Sequence, residues 1–228
     1  VASASNRSAV AVDHNPAVLA RLESAGRIRA VAADVRRCNA KADVIAATNF
    51  PLGYFHDRAA LVSYLTLCRK RLLPGGCFVA DMYGGPSAFR TGSTVRNLKS
   101  PDGTPVRYEF EQREADSLTG LVTNALHFTV GRGRKARVFR DAFVYHWRLW
   151  SLPELAEACR ESGFSQAEFY DFDGGAIDAD GGYHARPLRR GDELDTDWLV
   201  YLVASGGRVP RRPKPRTASS ARHPQPRR

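Results

Sequence analysis

The chain is poor in cysteine, has no long apolar run, and carries no glycine before Gly26. Each lack excludes something. Cys38, Cys68, Cys77 and Cys159 are widely spaced and form no CxxC pair, so no metal site is expected. Three of the four stand in apolar runs and read as small core residues. No run approaches the roughly 18 apolar residues of a membrane span, and the start lacks the apolar stretch of a signal peptide. No membrane partner is expected, and a reducing cytoplasm is the default compartment. Acids are missing from residue 208 onward, where eight lysines and arginines carry most of the formal charge of +10 and leave +2 on residues 1–207. This predicts one near-neutral folded domain, 1–207, and a disordered Pro/Arg/Ser-rich tail, 208–228. Nucleic acid is expected to be attracted only weakly, and only through that tail.

The 43% of hydrophobic residues suffice for a sizeable core. Ala9–Val12 is an all-apolar run of the kind buried on both faces of a parallel sheet, and it ends at Asp13. Asn15 and Pro16 open a helix expected over Ala17–Ser24, with Gly26 as its stop. Ile28–Ala33 is a second strand, ending at Asp34, and Val44–Thr48 a third, leading into "TNFPLGYF". Asp57 caps a helix whose Leu61, Leu65, Cys68 and Leu72 recur at helical spacing, and Pro74–Gly75–Gly76 end it. Cys77–Met82 is a fourth strand, closed by "DMYGG". Strands alternating with helices predict an α/β fold with a parallel sheet. Within 106–145 the period changes to 2, which predicts an antiparallel β insertion with a hairpin near "DSLTG". "SLPE", from Ser151, has capping-box spacing and opens a helix ending at Gly163. Phe164–Phe172 and Trp198–Val203 are two further strands, and residues 173–193 are a loop.

Three strand ends fall in one row: Asp13, Asp34 with Val35, and Thr48–Asn49–Phe50. Ligands of open α/β sheets bind beyond such carboxyl ends. A carboxylate can accept from a ribose diol, and an acid or amide can accept from an adenine amino group beside an apolar side chain. Asp13 and Asp34 also suit helix capping, and Asp13 stands close enough to Pro16 for the two roles to compete.

In "VAVDHNPAVL", "AADV", "ADVIAATNFPLGYF", "RLLPGGCFVADMYGG", "WRLWSLPELAEACRESGF" and "DWLVYLVASG" the chain resembles the class I S-adenosylmethionine-dependent methyltransferases, from about Ala9 to Gly206. The resemblance implies a Rossmann-like sheet with a C-terminal antiparallel strand pair, and Ala9–Val12 as the second strand. It implies S-adenosylmethionine as cofactor, with Asp13 and neighbouring His14 at the ribose, Asp34 and Val35 flanking adenine, and Asn49 and Phe50 lining the transfer site. The acceptor is expected to be a small molecule. The first βα unit of that fold, with its glycine-rich loop, is expected before residue 1, since "VASASNRSA" is too short to hold it.

His56, Tyr83 and His146 are candidate bases near the strand ends, each with a structural reading beside the catalytic one. "YHWRLW", residues 145–150, could line an acceptor pocket or form core. The insertion over 106–145 reads as a lid or an oligomer contact. Two other functions fit parts of the same pattern. Asp13 also suits a nicotinamide-dependent oxidoreductase, and the absent loop suits a non-catalytic binding protein with a basic tail.

Overall fold

A computed structural model describes residues 8–22, 27–172, 175–177 and 183–206. The tail from residue 208 and the helix stop at Gly26 lie outside the described residues. The first strand, β1 (Ala9–Asp13), pairs in parallel with β2 (Ile28–Ala32), Ala9 opposite Ile28 and Asp13 opposite Ala32. Between them α1 covers only Pro16–Leu19, shorter than the helix predicted over Ala17–Ser24. None of its residues is buried, and a short helix without an apolar face to bury has little to hold it.

The second sheet runs β3 (Ala42–Ala47), β4 (Leu72–Gly84), β12 (Trp198–Ser205), β9 (Gln166–Asp171). β3 is parallel to β4, and β12 is antiparallel to both β4 and β9, as the strand-pair reading required. β4 begins five residues earlier than the sequence predicts. The segment Leu73–Gly76 is absorbed as an irregularity: Ala42 pairs with Leu72, while Val44 already pairs with Cys77. Gly76 is needed there, because a Cβ would come within 2.6 Å of the Asp43 carbonyl oxygen. No hydrogen-bonded ladder joins β1–β2 to β3 among the described residues.

Two long helices cover this second sheet. Asp57 caps α2 (Arg58–Arg71) by accepting from Ala60 N–H, and Ser151 and Glu154 form a complete capping box on α3 (Leu152–Glu161). Both bury into one core. Phe78, Ala80 and Met82 of β4 stand opposite Ala204, Leu202 and Val200 of β12, and all six are fully buried with Leu61, Leu65, Leu155 and Cys159. Each large apolar side chain there contributes about 1.5–3 kcal/mol. Cys68 and Cys159 are core residues, and burial pushes their thiols up to about 11 and about 12.

The insertion is larger than its alternating pattern shows. It is a four-stranded antiparallel sheet, β5 (Gly92–Lys99), β6 (Pro105–Asp116), β7 (Leu121–Val130) and β8 (Arg137–Arg148). The predicted hairpin at Asp116–Gly120 is present, with Gly120 N–H donating to Asp116 carbonyl. Every residue of β5 is exposed, so it has no apolar face to signal a strand. Among its described residues, the predicted loop over 173–193 contains a short antiparallel pair, β10 (Ala176–Ile177) with β11 (Tyr183–His184).

Candidate functional site

The segment after β3 makes an unusual turn. Asn49 and Phe50 are both left-handed, with φ of 71° and 59°. For a bulky aromatic residue that conformation is a true outlier. The Asp81 carboxylate of β4 holds it: Oδ2 accepts from the Asn49 amide at 2.8 Å and Oδ1 from the Phe50 amide at 2.7 Å. A one-turn helix, Pro51–Tyr54, follows and packs against β8.

This turn forms one wall of a pocket of about 290 Å³ between the two larger sheets. Asn49, Phe50 and Tyr83 come from the strand ends, and Tyr108, Phe110, Leu126, Tyr145 and Trp147 from the antiparallel sheet. The alternation of β6, β7 and β8 puts those five on one face, since Phe110 opposes Leu126 and Leu126 opposes Phe143 two residues before Tyr145. The rings pack edge to face: Phe50 to Tyr83 at 4.9 Å, Phe50 to Trp147 at 5.6 Å, Tyr83 to Trp147 at 5.9 Å. Tyr145 stacks on Trp147 at 4.5 Å. None of the lining side chains is an acid, a histidine, a lysine or an arginine.

Tyr83 is the one polar group of the pocket with a buried partner of its own. Its hydroxyl oxygen accepts from Asn124 Nδ2 at 2.7 Å. Burial pushes Tyr83 up to about 12, and the Asn124 bond offsets this only in part. Asn124 is fully buried, and its Oδ1 has no hydrogen-bond partner among the described residues. Burial also raises Tyr108. Both hydroxyls therefore stay protonated at neutral pH and act as donors or dipoles.

The predicted site residues fall into two groups. Asp13 ends β1 and its Oδ1 accepts the Asn15 amide at 2.7 Å, while the exposed His14 ring lies 3.6 Å from the same oxygen. Asp34 follows β2 closely, and the two strand ends are joined by the Ala33 amide donating to the Asp13 carbonyl. Arg36 engages both Asp34 oxygens through its guanidinium and donates its backbone N–H to Oδ1. Those bonds hold the Asp34 carboxyl far below the usual carboxylate range. Arg71 of α2 ties this loop to the body, donating to the carbonyls of Val35 at 2.8 Å and Arg36 at 2.7 Å. Asn49 and Phe50 belong to the other sheet and to the pocket.

Of the three candidate bases, Tyr83 lines the pocket. His56 Nε2 lies 2.9 Å from the His146 carbonyl oxygen, and His146 Nδ1 lies 3.3 Å from Thr123 Oγ1. His146 alternates with Tyr145 and Trp147 along β8, so its ring faces away from the pocket. "YHWRLW" serves both readings: Tyr145 and Trp147 line the pocket, while Leu149 and Trp150 are core. The sequence reading missed Asp81 and Asn124. "DMYGG" puts Asp81 near the close of the predicted strand Cys77–Met82, which was its only signal.

No protein-family model and no curated protein matches this sequence. Solved structures do match it in fold. A S-adenosylmethionine-dependent methyltransferase from Clostridium acetobutylicum is 20% identical with a TM-score of 0.60, over 88% of this chain and 76% of that one. CalS10, an amino pentose methyltransferase from Micromonospora echinaspora, is 17% identical with a TM-score of 0.58, over 86% and 73%. KedS8, a sugar N-methyltransferase from Streptoalloteichus, is 17% identical with a TM-score of 0.57, over 86% and 70%. The fold of this chain is therefore the Rossmann-like fold of the class I S-adenosylmethionine-dependent methyltransferases.

Proposed function

We propose that this chain transfers a methyl group from S-adenosylmethionine to the amine nitrogen of a small molecule. The observation that carries the reading is the aromatic pocket at the carboxyl ends of β3 and β4, whose lining holds no acid, histidine, lysine or arginine. Asp13 would take the ribose diol, since its Oδ2 can accept while Oδ1 caps the turn. Val35 would flank the adenine ring. Arg36 competes with an adenine amino group for Asp34, so that contact requires the exposed Arg36 side chain to swing away. When bound, the cofactor supplies a methyl group on a positively charged sulfur.

The pocket walls then decide which acceptors can react. A neutral acceptor nitrogen would supply the lone pair for the new C–N bond, the electron pair of the S–C bond staying on sulfur. One positive charge is present before and after, first on sulfur and then on the ammonium product. The rings of Phe50, Tyr83, Tyr145 and Trp147 favour a cation near their faces at every stage. The acceptor would give up its own ammonium proton to water before transfer, and the product ammonium would lose one to water afterwards, so no protein base is needed. An alkyl hydroxyl acceptor would need one, and a tyrosine held at about 12 is a poor base near neutral pH. The role of the walls is to orient the two reactants and exclude water. The N-methylation of a sugar named for KedS8 and the amino pentose named for CalS10 agree with this reading.

The test is isothermal titration of the full chain with S-adenosylmethionine, followed by transfer of labelled methyl groups to amino sugars and to their hydroxyl analogues. Binding with transfer to amines alone is expected. Absence of binding at millimolar cofactor, or transfer to hydroxyls at equal rate, would sink the proposal.

A further inference from the structure

Asp81 sits in the middle of a hydrogen-bonded ladder, opposite Tyr201 of β12 and two residues before Tyr83. Its side chain does not serve that ladder. It reaches across to the next strand end and accepts two successive backbone N–H groups, those of Asn49 and Phe50. Successive amides in a turn converge on one side and make a concavity for an anion. In this molecule the anion is part of the chain. The two amides it binds belong to the consecutive left-handed residues, a conformation that persists only where the surroundings over-determine it.

We propose that Asp81 is a positioning residue: its carboxylate holds the Asn49–Phe50 turn left-handed and so sets the Phe50 ring as a wall of the pocket. From this turn the ring meets Tyr83 at 4.9 Å and Trp147 at 5.6 Å. Without the carboxylate, two amides lose their partner and the turn relaxes toward ordinary backbone angles. Phe50 then swings off Trp147, and the pocket opens on the side of Asn49. The link from this geometry to cofactor affinity rests on the methyl-transfer reading above. The geometry itself does not.

The decisive variant is Asp81→Asn, which keeps size and backbone but presents an NH₂ to one of the two donors. Amide hydrogen exchange is followed by NMR in the full chain. In the unmodified protein the amides of Asn49 and Phe50 should be protected, although Asn49 is exposed and its amide lies outside any strand. In Asp81→Asn both should exchange roughly tenfold faster or more, the factor for losing a charge-assisted bond. The β4–β12 amides should keep their rates, and the near-ultraviolet circular dichroism of the aromatic cluster should weaken. Unprotected amides at 49 and 50 in the unmodified protein overturn the proposal even if the variant fails to fold. So does equal acceleration across β4–β12, which would mean a general loss of stability. Titration with S-adenosylmethionine forms a separate arm, in which affinity should fall roughly tenfold. Unchanged affinity with a released turn would show that the turn does not present the site. If the unmodified protein binds no cofactor, the methyl-transfer reading fails and the exchange arm alone decides on Asp81.

Discussion

At the residue scale, the pocket depends on close contacts that leave no slack. Gly53, in the short helix after Phe50, is buried, and a Cβ there would come within 2.9 Å of the Trp147 Cβ and Cγ. Both atoms are near the backbone of β8, so neither can turn away as a flexible tip would. Gly53→Ala should therefore cost about 1–3 kcal/mol, the usual range for overpacking. It should also push Trp147 into the space beside Phe50 and Tyr145. A urea melt checks the first effect, as a lower midpoint at unchanged slope. An unchanged midpoint would mean that the Trp147 backbone yields without cost. Single residues also show what the sequence made readable at the site. Asn49, Phe50 and Tyr83 were legible as strand-end residues, where ligands of an α/β sheet bind, and all three line the pocket. Asp81 was not, because its role depends on a neighbour 31 residues away in sequence and on a backbone angle that no spacing encodes. Asp34 was legible as a strand-end acid, yet its pairing with Arg36 is a local contact that competes with the ligand role.

At the element scale, legibility followed burial. The capping box of α3 was readable because Ser151 and Glu154 signal it through local chemistry alone. The structure shows both halves, with Ser151 N–H donating to Glu154 Oε2 at 2.8 Å and Glu154 N–H to Ser151 Oγ at 3.4 Å. Glu154 also meets Arg148 of β8 at 3.3 Å, so this cap joins the helix to the antiparallel sheet. Ser151→Ala should destabilise the protein by about 1 kcal/mol. Thermal melting reads this as a drop of about 2–4 °C for a domain of this size. No drop would mean that Glu154 holds the N-terminus without the serine. β5 was invisible for the opposite reason. It is an edge strand with exposed side chains on both faces, so Gly92–Lys99 carries neither alternation nor an apolar run. α1 failed in the other direction: its cap and Pro16 are correct, but none of its four residues is buried. Local signals started the helix, and without a buried apolar face the described part stays short.

At the scale of the whole molecule, the parallel strands lie in two hydrogen-bonded sheets that share no ladder among the described residues. β4 and β12 each have a partner on both sides, and their inner faces are fully buried. β1 and β3 each pair on one side only among the described residues. Val10, which read as a member of a strand buried on both faces, is 39% exposed, and Val44 of the third predicted strand is 56% exposed. Apolar contacts and ladder bonds are thus unevenly shared, and local opening follows that distribution. The bonds from Arg71 to the Val35 and Arg36 carbonyls tie the β1–β2 unit to α2, but exposed pairings of this kind contribute little stability. Native-state hydrogen exchange should therefore resolve two levels. Amides of β4 and β12 should exchange only through global unfolding, at a free energy of about 5–15 kcal/mol. Amides of β1 and β2 should exchange through a cheaper local opening that is insensitive to low urea, because it exposes little new surface. The proposed cofactor contacts of Asp13 and Val35 lie on this looser unit, and those of Asn49 and Phe50 on the firmer one. Saturating S-adenosylmethionine should then slow exchange in β1 and β2 more than in β4. Equal protection of all four strands without ligand would refute the two-level picture, and with it the idea that cofactor binding draws the two sheets into one site.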